Sequence, residues 1–376
     1  MSSSKPVSTA QNVPAGLQID WRQLLIEMLV PVLAIFTALL IGAIIIMLTG
    51  ASVTAAYSGL FRGALGDPKA IANTLVESTP YIFAGLAVAL GFKCGLFNIG
   101  AEGQLAMGSM FAAWAGVAFT GLPMLIHLPL ALLFGWLGGA FWGGIAGFLR
   151  ARTGAHEVIT TIMLNYIAIR LTDYIIKGPM KDPAASAPRT AFIAPSAELP
   201  FLFGADYRLH AGFLLALLAA VVVWWLLNKS TIGFEIRTVG ANPSAAQYAG
   251  MSITKNFLLA MALSGGLAGL AGASTVLGLE HNLKAAFTAG YGFDSIAVAL
   301  LARSNPLSII PAAIFWGALR NGAGLMQLES GISINLINIV QALVIVFVAA
   351  DQIVRWIYRI KRKSTGQAVF TRGWGG

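Results

Sequence analysis

The sequence predicts an all-α polytopic membrane protein of about ten transmembrane helices (eight to ten, depending on broken or re-entrant segments), with both termini cytoplasmic. Three observations carry that reading. Of 376 residues, 57% are hydrophobic and only 10% charged, against roughly 25% charged in soluble domains, so too few polar side chains exist to cover a soluble surface. Charge-free stretches recur at lengths matching the ~20 residues that a helix needs to cross hydrocarbon. Basic residues also divide unevenly between alternate connecting segments, as the preference of Lys and Arg for cytoplasmic loops requires.

The first apolar run, residues 28–48, follows a polar segment and exceeds the roughly 7–15 residues of a signal-peptide core, so it reads as a retained span within residues 28–61. Residues 78–92, between Glu77 and Lys93, form a short second span. Residues 103–149 carry no charge and hold two spans, with Gly121-Leu122-Pro123 as the turn. Residues 158–176 form a fifth span, interrupted by Arg170 and Asp173, which lie three residues apart on one helical face and can pair. Residues 209–228, 256–279, 304–319 and 330–350 complete the long runs. The weak piece 295–302 is too short to cross alone, and with 291–294 it reads as a broken or re-entrant segment.

Counting that piece as a crossing, and placing the N-terminus inside, puts fifteen basic residues on cytoplasmic segments and eight on external ones, with Arg170 inside a span. Four of the eight sit in or beside the longest external loop, where charge matters less. The chain then divides into a cytoplasmic tail (1–27), a transmembrane domain (28–350) and a basic cytoplasmic tail (351–376). The domain includes a proline-rich external loop at 178–208 and a large cytoplasmic loop at 229–255.

The formal charge of +9 fits this topology, and no basic stretch is interleaved with aromatics as a nucleic-acid surface requires. The single cysteine, Cys94, leaves no intramolecular disulfide and no Cys-based zinc site. Gly-Lys does not occur, so the chain has no phosphate-binding loop of its own. His127, His156, His210 and His281 never take the i, i+4 spacing of a helical zinc site, and no catalytic constellation is visible. No catalytic residue, metal or resident cofactor is expected.

Four motifs stand out. In Gly91-Phe92-Lys93-Cys94-Gly95-Leu96-Phe97-Asn98-Ile99-Gly100-Ala101-Glu102-Gly103-Gln104, glycines alternate with polar groups that are costly at membrane depth unless they face protein or water. Such glycine-interrupted segments expose polar groups to solutes in transporters. Asn98, Glu102 and Gln104 are therefore candidates for a translocation pathway; equally, Glu102 suits the N-terminus of a helix beginning near Gly103. Gly135, Gly139, Gly143 and Gly147 make a stripe for close helix packing, as do Gly265 and Gly269. Glu157 suits the start of the fifth span, whereas Asn165 lies about two turns inside it and needs a partner there.

The fourth motif is Gly240-Ala241-Asn242-Pro243-Ser244-Ala245-Ala246-Gln247-Tyr248-Ala249-Gly250-Met251. Asn242 can cap, Pro243 suits the first helical position and Gly250 can end the helix. The resulting two turns are too short to be stable without a docking surface. Their small neutral residues lack the faces of an interfacial membrane helix.

Gly95–Gln104 and Gly240–Met251 together resemble the permease subunits of bacterial ABC importers, within the branched-chain amino acid, simple-sugar and nucleoside group. Glu157–Tyr166 and Gly292–Leu301 resemble the sugar/nucleoside branch. The similarity spans roughly residues 30–350. It implies a subunit of the bacterial inner membrane that conducts a nucleoside or, alternatively, a simple sugar. In that family the segment from Gly240 to Gly250 would be a coupling helix seated in a cytoplasmic ATPase, which carries ATP and Mg. A second, non-identical permease and an extracytoplasmic substrate-binding protein would complete the importer. The segments 98–104 and 291–295 fall in corresponding halves of the chain, which adds Asp294 to the pathway candidates, beside Asn165 from within the fifth span. The rival class, an ion-coupled secondary transporter, needs paired intramembrane acids, whereas Glu102, Asp173, Glu280 and Asp294 lie mostly near span ends.

Overall fold

The computed structural model describes residues 21–349, except 286, 288 and 289, together with 351–359. The expected tails therefore lie mostly outside the described residues. Among those described, the helices in chain order are α1 (Trp21–Leu48), α2 (Val53–Leu65), α3 (Pro68–Lys93), α4 (Ala101–Ala118), α5 (Met124–Thr153), α6 (Glu157–Lys177) and α7 (Gly212–Lys229). They continue with α8 (Thr231–Ala241), α9 (Pro243–Tyr248), α10 (Ile253–Thr275), α11 (Tyr291–Leu301), α12 (Pro306–Ser330), α13 (Ile334–Ala349) and α14 (Asp351–Ile357). Among the described residues no strand forms; two isolated bridges, Arg189 with Lys284 and Phe201 with His210, lie in the connections.

Among the described residues five helices are long and apolar enough to cross a membrane: α3, α5, α6, α7 and α10 with its π-helical extension Val276–Glu280. α3 and α10 are the most enclosed of these, while α5, α6 and α7 keep about two thirds of their apolar windows on the surface. Leu137, Phe141 and Phe148 of α5, with Leu214, Leu218 and Trp225 of α7, are exposed. That is the expected outer face of a bundle whose solvent is hydrocarbon.

The glycine stripes set the centre. A Cβ on Gly139 would lie 2.1 Å from the Gly265 carbonyl oxygen, and one on Gly108 would lie 2.2 Å from the Gly269 Cα. α10 therefore touches α5 and α4 backbone to backbone, the approach that small residues permit and dispersion between close helices rewards.

Several boundaries differ from those expected. α1 begins ahead of the apolar run, and the first span is followed by a separate helix, α2, which starts behind Ser52 as its cap. α2 lays Gly59 and Gly63 on Leu325, Met326 and Gly322 of α12, and Arg62 meets Glu329 at 2.6 Å. α3 begins ten residues earlier than the charge-free run and includes Glu77, while α12 runs past Arg320 to Ser330. α11 has eleven residues; at ~1.5 Å per residue it covers about half the hydrocarbon thickness, so this helix does not cross by itself. The turn at Gly121 forms as expected, with φ +87°. Asp173 meets Lys177 at 3.9 Å, one turn further along α6.

The loop 178–208 is an ordered strap across the ends of α4 and α10. Ile193 N–H donates to the His281 carbonyl, Ala194 N–H to Gly116 and Leu199 N–H to Leu277. His127 is a fully buried structural residue of this region, its ring nitrogens bonded to Ser196 Oγ at 2.8 Å and the Ala115 carbonyl at 3.0 Å.

Candidate functional site

A helix that stops inside a membrane leaves N–H groups that water cannot reach. α4 and α11 both begin next to one another: a Cβ on Gly292 would lie 2.2 Å from the Glu102 nitrogen. Neither helix has a side-chain cap from its own N-cap residue, Gly100 or Gly290. The caps come from elsewhere in the chain. Asn165 of α6 accepts the Gly103 N–H at 2.8 Å and donates to the Ile99 carbonyl at 2.9 Å. Glu102 of α4 reaches across to α11, accepting the Gly290 N–H at 3.0 Å and the Gly292 N–H at 2.6 Å. Its negative charge thus meets the positive end of a neighbouring helix dipole.

Asn98 and Gln104 form a reciprocal amide pair, with Nδ2 to Oε1 at 3.0 Å and Nε2 to Oδ1 at 3.2 Å. Asn98 also donates to Ser264 of α10 at 2.8 Å, and Ser264 donates to the Ala87 carbonyl of α3 at 2.6 Å. Asn98, Glu102, Gln104 and Asn165 are all buried, and each is spent on neighbouring groups at the broken helix ends. A satisfied polar network of this kind fixes a unique backbone path.

Asp294, the fifth candidate, stands apart in a different cluster. Tyr81 of α3 donates its hydroxyl to Asp294 at 3.0 Å, and Arg320 of α12 approaches the same carboxylate at 3.7 Å. Arg320 Nε lies 3.5 Å from Glu77, which also accepts the Tyr291 hydroxyl at 3.0 Å. The guanidinium sits 4.7 Å above the Tyr291 ring, and the Tyr81 and Tyr291 rings meet edge to face at 5.1 Å. α3 and α12 run antiparallel here, as Thr74 meets Asn321 and Gly85 meets Ile309. Glu77, Tyr81 and Arg320 were not among the sequence-based candidates. The signal of Glu77 and Arg320 was a charge flanked by apolar helix, which reads equally as a span end, and Tyr81 gave none.

On the side where α3 ends, the expected short helix forms as α9, and a further helix, α8, precedes it and takes in Gly240 and Ala241. Asn242 Oδ1 accepts the Ala245 N–H at 3.0 Å, and Pro243 holds the first helical position. Gly250, at φ +81°, closes the end: its N–H donates to Gln247, and Met251 N–H donates to Ala246, both at 3.0 Å. That is a Schellman arrangement, in which a left-handed glycine satisfies the last carbonyls. Ala246 is buried, whereas Ala241, Asn242, Pro243, Ser244, Ala245, Gln247, Tyr248, Ala249 and Gly250 are exposed. Gly240 is pressed on the α3–α4 turn; a Cβ there would lie 2.2 Å from the Lys93 carbonyl oxygen and 2.8 Å from the Gly95 nitrogen. Glu235 of α8 accepts from Asn256 of α10 at 3.0 Å.

Comparison with known proteins identifies the family. The family model for the branched-chain amino acid transport system permease component matches residues 70–349. A guanosine ABC transporter permease of Bacillus subtilis is 48% identical over 90% of this chain and 97% of its own length. A glucose ABC transporter permease of Haloferax volcanii is 36% identical over 91% of each chain. A nucleoside ABC transporter permease of Lactococcus lactis is 36% identical over 87% of this chain and 92% of its own. No solved structure gives a significant match. The chain belongs to the permease family of the branched-chain amino acid transport system type, and it is a multi-pass integral protein of the bacterial inner membrane.

Proposed function

We propose that the chain lines the path by which an ATP-driven importer takes up a nucleoside, with ATP hydrolysis on a separate cytoplasmic ATPase that receives α9. The observation that carries this reading is the geometry of α9: a six-residue helix, exposed except at Ala246, held rigid at both ends and joined through Gly240 to the turn that leads to Asn98. A helix that short has no stability of its own to spare, so its precise caps suit a piece that is pushed. Nucleoside is favoured as the solute by the guanosine permease relative, at 48% identity. Sugar is the second reading, from the glucose permease relative.

In this reading both termini are cytoplasmic, and ten crossings result when α11 and the chain preceding it share one. A second permease, non-identical to this one, and an extracytoplasmic binding protein complete the assembly. Motion of α9 reaches the broken helix ends because Gly240 and Gly95 touch without side chains between them.

The test is to substitute Tyr248→Ala and Ala245→Glu on the exposed face and measure nucleoside uptake, ATPase co-purification and protein level in the membrane. Loss of uptake with loss of the co-purified ATPase, at normal protein level, is the expected result. Normal uptake in both variants would refute the role of α9. Uptake by the purified chain reconstituted without ATP would favour a secondary transporter.

A further inference from the structure

We propose that Glu77, Tyr81, Tyr291, Asp294 and Arg320 form a solute-binding station of the pathway, built for an uncharged solute that combines a planar ring with hydroxyl groups. The proposal rests on the nucleoside reading above and deepens it.

Position is the first argument. Tyr81 and Arg320 lie near the middles of α3 and α12, and α11 starts beside them. The side chains of Glu77, Asp294 and Arg320 are each about 30% exposed. Charged groups at that height cannot face lipid tails without a cost of several kcal/mol, so the surface they share faces water or a partner's pathway wall. The glycine-packed α5–α10 side of the molecule offers nothing comparable, because its polar groups are enclosed.

Chemistry is the second. Two carboxyl groups and one guanidinium leave acceptors in excess, which suits a ligand rich in O–H donors and repels a phosphate. Tyr291 presents a ring already engaged by a guanidinium, the arrangement that stacks against a planar base. Trp316, buried beside Asp294, turns its indole N–H towards that carboxylate and helps to orient it. Glu77 and Tyr291 also line a water-sized cavity shared with Ser274, Thr275 and His210, at the π-helical end of α10.

The experiment uses the intact importer with its ATPase and binding protein. Uptake of labelled guanosine is measured for the wild type, Tyr291→Leu and Tyr291→Phe, and the wild-type complex is photolabelled with 8-azidoguanosine with and without excess guanosine. We expect Tyr291→Leu to lose roughly tenfold in uptake, the size of one lost base–aromatic stack. Tyr291→Phe, which keeps the ring and loses the hydroxyl's bonds to Glu77 and Arg320, should stay within about threefold of wild type. Guanosine-protected label should fall on peptides containing Tyr81, Tyr291 or Arg320. Wild-type uptake by Tyr291→Leu, equal losses in both variants with a lowered unfolding temperature, or protected label confined to other segments would each overturn the station while leaving the nucleoside reading intact. Failure of the wild type to import any nucleoside would remove both.

Discussion

The Glu102 carboxylate accepts the Gly292 N–H at 2.6 Å, and that bond joins the starts of two helices from opposite halves of the chain. Because the second oxygen takes the Gly290 N–H, both acceptors are engaged and the group acts as a cap for α11. Glu102→Gln keeps the size but removes the charge and turns an NH2 towards one of the two N–H groups. The expected cost is about 1–3 kcal/mol of stability, from one buried donor left unsatisfied, with a matching loss of uptake. Glu157→Gln, which removes a favourable charge from the first turn of α6 and a partly exposed ion pair with Arg150 at 3.3 Å, should cost less. Thermal unfolding in detergent and uptake in cells check both; equal effects would contradict the capping role.

How much of this was legible in the sequence depended on whether a signal was local. The Asn242, Pro243 and Gly250 signals are confined to one short segment, and all three perform as expected. The Gly121 turn and the glycine stripes are likewise local patterns. What failed was the rule that a charge ends a span. α3 and α12 were both cut short, one at Glu77 and one at Arg320, and these two residues meet at 3.5 Å. Each charge is tolerated inside its helix because the other helix supplies the partner, information that no single stretch contains. Asn165 is the same lesson in reverse: its polarity was visible, but its use as a cap for α4 depends on a contact 62 residues away in sequence.

The contact between Gly240 and the Gly95 turn makes a separate prediction. Gly240→Ala inserts a methyl group 2.2 Å from the Lys93 carbonyl, where backbone on both sides leaves no flexible neighbour to yield. Uptake should fall by more than tenfold while the protein still reaches the membrane. Gly250→Ala meets open space and suffers only the strain of its positive φ, about 1 kcal/mol. A stability and uptake comparison of the two separates the loss of coupling from damage to α9 itself.

At the α5–α10 crossing, Gly139→Ala places a Cβ 2.1 Å from the Gly265 carbonyl and should destabilise by at least ~1–3 kcal/mol, the ordinary cost of overpacking. Gly144 is on the same helix, yet a Cβ there meets nothing nearer than the Leu258 methyl at 3.8 Å. Gly144→Ala should therefore be neutral or slightly stabilising, because alanine is the better helix former. Unfolding midpoints of the two variants in one detergent provide the check, and a neutral Gly139→Ala would mean that the helices are further apart than described.

His210 gives the protein an acid sensitivity. It lies between the 178–208 strap and α7, is buried against Gly212 and Gly278, and its Nδ1 accepts the Gly212 N–H at 3.2 Å. Burial, reinforced by the charge of His281, pushes its pKa down to about 4, whereas in the unfolded chain it titrates near ~6.5. The unfolded state therefore binds the proton first as pH falls. Stability from the neutral ring is fully present above about pH 6.5 and is lost progressively as pH drops towards 4. The unfolding temperature of the purified protein should accordingly be lower at pH 5 than at pH 7. His210→Asn, which keeps an acceptor in reach of the Gly212 N–H but does not titrate, should start less stable at pH 7 through lost packing and show a flatter pH dependence. An unchanged slope in that variant would assign the acid sensitivity to other groups.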